Sequence, residues 1–149
     1  MSVNPPVCRI TADPIDPCTL LDTSPGDGAA LLFVGVVRDH NEGRSVGHLD
    51  YQAYPEMAEA VLREIVDEAL GRWDAGQVSV VHRVGRLDIG EVSVAIAVTS
   101  PHRGDAYDAS RYVIEELKKR VPIWKREGYI DGDSEWLRGN TPEPAREGT

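Results

Sequence analysis

The chain is short of cysteine, of positive charge and of long apolar runs, and each shortage removes a class of protein. Cys8 and Cys18 are the only cysteines among 149 residues. They form no C-x-x-C pair and are too few for the usual structural zinc set. His40, His48, His82 and His102 lie scattered without ligand spacing, so neither a metal site nor a resident cofactor is expected. Sixteen Lys and Arg stand against 25 Asp and Glu, a net charge of −9, which is the wrong sign for a nucleic-acid-binding surface. No apolar run approaches the roughly 18 residues that suggest a membrane span; the longest, Ala29 to Val37, is interrupted only by Gly35. Met1 to Pro6 lacks the basic start and apolar stretch of a signal peptide, which makes the cytoplasm the expected location. There is no internal repeat and no low-complexity block.

What remains is an ordinary globular composition, 41% hydrophobic and 28% charged, on a length that suits one domain. That domain is expected over residues 1–137, opening with a breaker-rich arm over 1–28 and followed by a frayed tail over 138–149. Val7 to Thr11 suits a short strand within the arm. Ala29 to Val37 reads as a strand buried on both faces, and Arg38 to Gly47 as a loop. Leu49, Tyr51 and Ala53 alternate with polar residues as in a half-buried strand. Pro55 opens a helix whose apolar stripe runs from Met57 to Leu70. Strands follow over Gln77 to Val84 and Glu91 to Thr99, joined by a long hairpin connector, Gly85 to Gly90. Asp105 suits the cap of a second helix with Ala106, Ala109, Val113, Leu117 and Val121 on its buried stripe, ended by Pro122. Tyr129 to Leu137 offers a last short strand. Two hairpin-like strand pairs and two main helices imply an α+β fold with an antiparallel or mixed sheet.

Charge is distributed unevenly. Lys118, Lys119, Arg120, Lys125 and Arg126 crowd into nine positions of an acidic chain. Cations at a helix C-terminus complement its dipole, which accounts for the first three. Lys125 and Arg126 lie past the proline beside Trp124 and need another explanation, such as a shaped anion site. Ser100-Pro101-His102-Arg103-Gly104 joins a strand to a helix start, where backbone N–H groups, an imidazole and a guanidinium suit a phosphate or carboxylate. Val37-Arg38-Asp39-His40-Asn41 follows a buried strand, a common place for cleft residues. In this last cluster turn formation by Asp39 or Asn41 and surface pairing of Arg38 compete as readings. His48, His82, Tyr51, Tyr54 and Trp73 read as packing or surface residues.

Six blocks carry a family resemblance: FVGVVRDHNEG (33–43), LDYQAYPEMAE (49–59), EIVDEALGRW (64–73), VVHRVGRLDIGE (80–91), VTSPHRGDAY (98–107) and LKKRVPIWKRE (117–127). In order and spacing the chain resembles the large, catalytic subunit of molybdopterin synthase from about Val7 to Trp136. The resemblance implies an α/β-hammerhead-like fold and sulfur transfer: cyclic pyranopterin monophosphate becomes molybdopterin. The sulfur comes from the C-terminal Gly-Gly thiocarboxylate of a small ubiquitin-like partner. It also implies a homodimer carrying two small subunits, a heterotetramer. By position it makes Lys118 and Lys125 catalytic. Substrate binding falls to Val36, Val37, Arg38, His102 and Arg103, and to Lys118, Lys125, Arg126 and Glu127. Without the resemblance, the β-α-β-β-α-β run from Leu49 also suits a non-catalytic, dimeric ligand-sensing module of ferredoxin-like type.

Overall fold

The computed structural model describes residues 6–130 and the backbone of 134–137; the tail expected over 138–149 lies outside the described residues. Chain order is β1 (Cys8–Thr11), a 3-10 turn (Pro17–Leu20), β2 (Ala29–Val36), β3 (His40–Asn41), β4 (Arg44–Ala53), α1 (Pro55–Arg72), β5 (Gln77–Arg83), β6 (Gly85–Asp88), β7 (Val92–Ser100), α2 (Arg103–Arg120), β8 (Ile123–Tyr129) and β9 (Ser134–Leu137). The expected α+β class is what forms, as two sheets and two long helices.

The first sheet has the order β1-β5-β7-β2. β1 runs parallel to β5, while β5–β7 and β7–β2 are antiparallel. Both helices pack on one face. Ala58, Leu62, Ile65, Val66 and Ala69 of α1 are buried, as are Ala106, Ala109, Val113 and Leu117 of α2. They meet Val78, Val80, Ile96 and Val98 in one core. On the other face, where Ser93, Ala95, Ala97 and Thr99 point, small side chains permit the close approach of the 3-10 turn. Gln77 fastens that segment by donating to the Leu20 carbonyl (2.7 Å) and accepting from the Asp22 N–H (2.9 Å). The described part of the arm therefore includes a covering segment on this face. Its Cys8 is 7% exposed, and burial pushes the thiol up to about 11.

The second sheet has the order β3-β4-β8-β9, with β6 on the other edge of β4. Antiparallel partners share a face. Leu49, Tyr51 and Ala53 therefore point the same way as Glu127, Lys125 and Ile123, and His48, Asp50 and Gln52 the same way as Gly128, Arg126 and Trp124. The first set joins the core through Leu49, Tyr51 and Ile123, together with Leu87 of β6. On the second, the His48 ring lies where a Cβ on Gly128 would be.

Several sequence expectations are corrected here. β2 is an edge strand and only half-buried, because among the described residues it has a neighbour on one side alone. It pairs with β7 across the whole sheet and not with β4. Arg38 to Gly47 is not one loop but contains a tight β3–β4 hairpin, turned by Glu42 and Gly43 at positive φ. The Gly85–Gly90 connector holds β6, which crosses to the second sheet. Residues 123–128, unassigned from sequence, form β8 with Tyr129, and of the strand expected over Tyr129 to Leu137 the separate part is β9, Ser134–Leu137. The cap of α2 is His102, and Asp105 sits inside the first turn. The strands of the ferredoxin-like run divide between two sheets.

Candidate active site

One cavity of about 310 Å³ opens where the C-terminal ends of β2 and α2 meet β4 and β8. Lys118 reaches it from the last turn of α2, Lys125 and Glu127 from the inner face of β8, and Arg38 from the segment after β2. Val36 and Val37 also line it. Val37 is buried and its backbone is committed, with N–H to the Glu91 carbonyl (3.0 Å) and C=O to the Gly90 N–H (2.7 Å). Val36 is 56% exposed.

The crowded basic run separates by function once folded. Lys119 pairs with Glu116 (3.4 Å). Arg120 ties the two helices together through Glu68 (2.7 Å), Glu116 (3.2 Å) and Glu64 (3.5 Å). That guanidinium, with the Tyr112 hydroxyl, holds the Glu68 carboxyl down at about 2. Arg126, on the outer face of β8, pairs with Asp50 (3.3 Å) and lies outside the cavity lining. Strand alternation is the reason, since Lys125 and Glu127 point inward and the residue between them cannot. Among the described residues Lys118, Lys125 and Arg38 make no ion pair. Three unneutralised cations around one opening form an anion site. Partial loss of water around the ammonium first, then the charges of Lys125 and Arg38, push the Lys118 group below its ordinary value.

Beneath the cations lies a floor of buried polar groups. Glu127, 1% exposed, accepts from Asn41 Nδ2 (2.8 Å) and the Tyr129 hydroxyl (3.4 Å), both at Oε1. His82, 2% exposed, donates Nδ1–H to the Arg83 carbonyl (2.8 Å). Its ring meets Tyr51 edge-on at 5.0 Å. Desolvation, and secondarily the nearby Lys118 charge, push that imidazole down to about 4, so it is neutral at pH 7. By sequence His82 and Tyr51 read as packing or surface residues. A histidine inside an apolar strand was the available signal, and it does not distinguish a core ring from a cavity floor.

His102 and Arg103 are not brought to this cavity. They sit at the N-terminus of α2, and fifteen residues of helix at 1.5 Å each put them about 22 Å from Lys118 along the axis. The sheet agrees: Ser100 pairs with Ala29 and Val92 with Val36, at opposite ends of β2. Both side chains are exposed.

An α+β scaffold that gathers unpaired lysines and an arginine over a buried carboxylate forms an enzyme-type pocket whose charge suits an anion. Comparison with known proteins specifies the class. Residues 10–120 match the family described as MoaE protein. The molybdopterin synthase catalytic subunit of Escherichia coli (strain K12) is 49% identical over 107 residues, 72% of this chain and 71% of that protein. The crystal structure of molybdopterin synthase from Staphylococcus aureus superimposes with a TM-score of 0.82 at 41% identity, covering 87% of this chain and 95% of that one. A likeness of fold alone, 19% identical with a TM-score of 0.69, covers 89% of this chain and 91% of one in the complex of subunits 1 and 2 of the molybdopterin-converting factor from Helicobacter pylori. The chain belongs to the MoaE family of molybdopterin synthase catalytic subunits, enzymes of molybdenum cofactor biosynthesis.

Proposed function

We propose that this chain is a sulfurtransferase that converts cyclic pyranopterin monophosphate to molybdopterin with sulfur from the C-terminal thiocarboxylate of a small ubiquitin-like partner. The observation that carries this reading is the set of unpaired cations, Arg38, Lys118 and Lys125, on one cavity of a chain whose net charge is −9. Phosphate and a thiocarboxylate tail are both anionic, and both favour that site. The sulfur of the partner is itself the nucleophile, so the cavity needs no cysteine. The lowered pKa of Lys118 suits it to proton transfer at the reacting centre. Lys125 contributes to that lowering and stabilises developing negative charge.

Small-subunit binding accords with the two-subunit composition of the fold neighbour from Helicobacter pylori. A homodimer accords with the placement of His102 and Arg103. A pair that reads as phosphate-binding but lies about 22 Å from its own Lys118 completes a site when a second copy presents it. Arg126, turned outward, supports the sheet through Asp50 in this reading and does not bind substrate. The test is a reconstituted assay with cyclic pyranopterin monophosphate and thiocarboxylated small subunit, product being read as its fluorescent oxidation derivative. Wild type makes product and Lys118→Ala, folded and partner-binding, makes almost none. A folded, partner-binding wild type that makes none overturns the proposal and leaves a binding module.

A further inference from the structure

The cavity is polarised by depth. Arg38 and Lys118 are exposed at the mouth and Lys125 is half-buried. Glu127 and His82, at 1% and 2% exposure, are the floor. The floor offers acceptors: Glu127 places both of its recorded hydrogen bonds on Oε1, which leaves Oε2 with no partner among the described residues. His82 commits Nδ1–H to a carbonyl, so its neutral ring turns a bare Nε2 lone pair the other way. Tyr51 stands between them, its ring against His82 and its hydroxyl within the field of Glu127. Neither acceptor is among the fully buried polar atoms without a partner, which among the described residues are Arg83 Nε and Thr99 Oγ1; Glu127 and His82 both line the cavity, where a ligand with N–H groups at one end finds two acceptors.

We propose that Glu127 and His82 form an acceptor subsite that reads the N–H edge of the substrate heterocycle, so that the ligand enters ring first and leaves its anionic group among the cations at the mouth. The inference rests on the pterin-substrate reading above and deepens it. A 2-amino-4-oxopyrimidine edge carries N3–H and the 2-amino group side by side, two donors that match the two acceptors Glu127 Oε2 and His82 Nε2. A ring with a carbonyl in place of the 2-amino group puts lone pair against lone pair and is rejected. Asn41 then acts as a positioning residue. Its amide fills Oε1 and turns Oε2 toward the ligand, which links the β3–β4 hairpin to specificity.

The experiment measures binding of pterin and of lumazine, its 2-oxo analogue, to the full-length chain by fluorescence titration, with turnover assayed in parallel. Wild type is expected to prefer pterin by roughly 10- to 100-fold. Glu127→Gln, which can donate as well as accept, is expected to lose most of that preference, while His82→Phe weakens pterin without improving lumazine. The ligand comparison on the wild type stands even if a variant fails to fold. Equal affinity of the wild type for the two rings, or an unchanged preference in folded Glu127→Gln, overturns the subsite. If turnover persists in either case, the sulfur-transfer reading survives. A pterin preference that collapses in Glu127→Gln without any turnover supports the subsite and removes the sulfur-transfer reading instead.

Discussion

Acidifying the protein from pH 7.5 to pH 5 loads the buried imidazole of His82. In the folded chain that ring is held down to about 4 from an ordinary 6.5, chiefly by loss of water and secondarily by Lys118. The Tyr51 ring from β4 and the Lys118 ammonium from α2 are beside it, and the Glu127 carboxylate of β8, on the same cavity floor, does not offset the loss of water. Between pH 6.5 and pH 4 the unfolded chain binds a proton that the folded chain refuses, so stability falls as pH falls through that window. The full effect is about 3 kcal/mol, of which about 2 kcal/mol is lost by pH 5. At fixed protein concentration, urea unfolding should show the wild-type midpoint about 1 M lower at pH 5 than at pH 7.5. The Glu68 carboxyl, held near 2, loses its contribution only below its ordinary 4.5, beneath the lower of the two pH values compared. His82→Phe removes the proton site, and its midpoint should move much less over the same interval, whatever its absolute stability. A wild type with equal midpoints at the two pH values, or a variant with the wild-type slope, refutes the reasoning.

Four further outcomes are expected. Mixing Lys118→Ala with Arg103→Ala subunits after dissociation should restore about a quarter of wild-type turnover. Half of randomly paired dimers are then mixed, with one intact site in two; no restoration counts against a site shared between copies. Replacing Lys125 by Met should raise the Lys118 pKa by removing a neighbouring positive charge, moving the acid limb of the pH–rate profile to higher pH. Gly128→Ala should destabilise the chain by about 1–3 kcal/mol in urea unfolding through collision with the His48 ring, and much of the loss should disappear in a His48→Ala background. Leu62→Ala, in the fully buried α1 stripe, should cost about 2–5 kcal/mol.

Element types were largely legible because they depend on local periodicity. Pro55 and the stripe through Ala58, Leu62, Ile65 and Ala69 specify α1 over nearly its observed length. The alternation of large and small residues in β7 anticipates a strand covered on both faces. β8 escaped notice because its inner face carries Lys125 and Glu127, which break the apolar alternation that marks a strand. The same residues break that pattern because they face the cavity. Likewise β6 is four residues long and resembles a turn until β4 is beside it.

For the site, the run from Lys118 to Arg126 gave its location but not its membership. Charges adjacent in sequence diverge in space. Lys119 and Arg120 turn to carboxylates of the helices, Arg126 turns away with its strand face, and Lys118 and Lys125 are left to converge. His102 and Arg103 look equivalent to these in sequence and are removed from them by the length of α2. Composition, charge and periodicity by themselves determined an acidic α+β domain with two amphipathic helices and a cationic cluster near its end, since those depend on neighbours within a few residues. Which cations stay unpaired, which strand face they occupy, and that His82, Tyr51 and Glu127 form one floor were decided by tertiary structure alone. Those facts depend on the register of β4 against β8 and on the pairing of β5 with β7, pairings between residues that no local pattern connects.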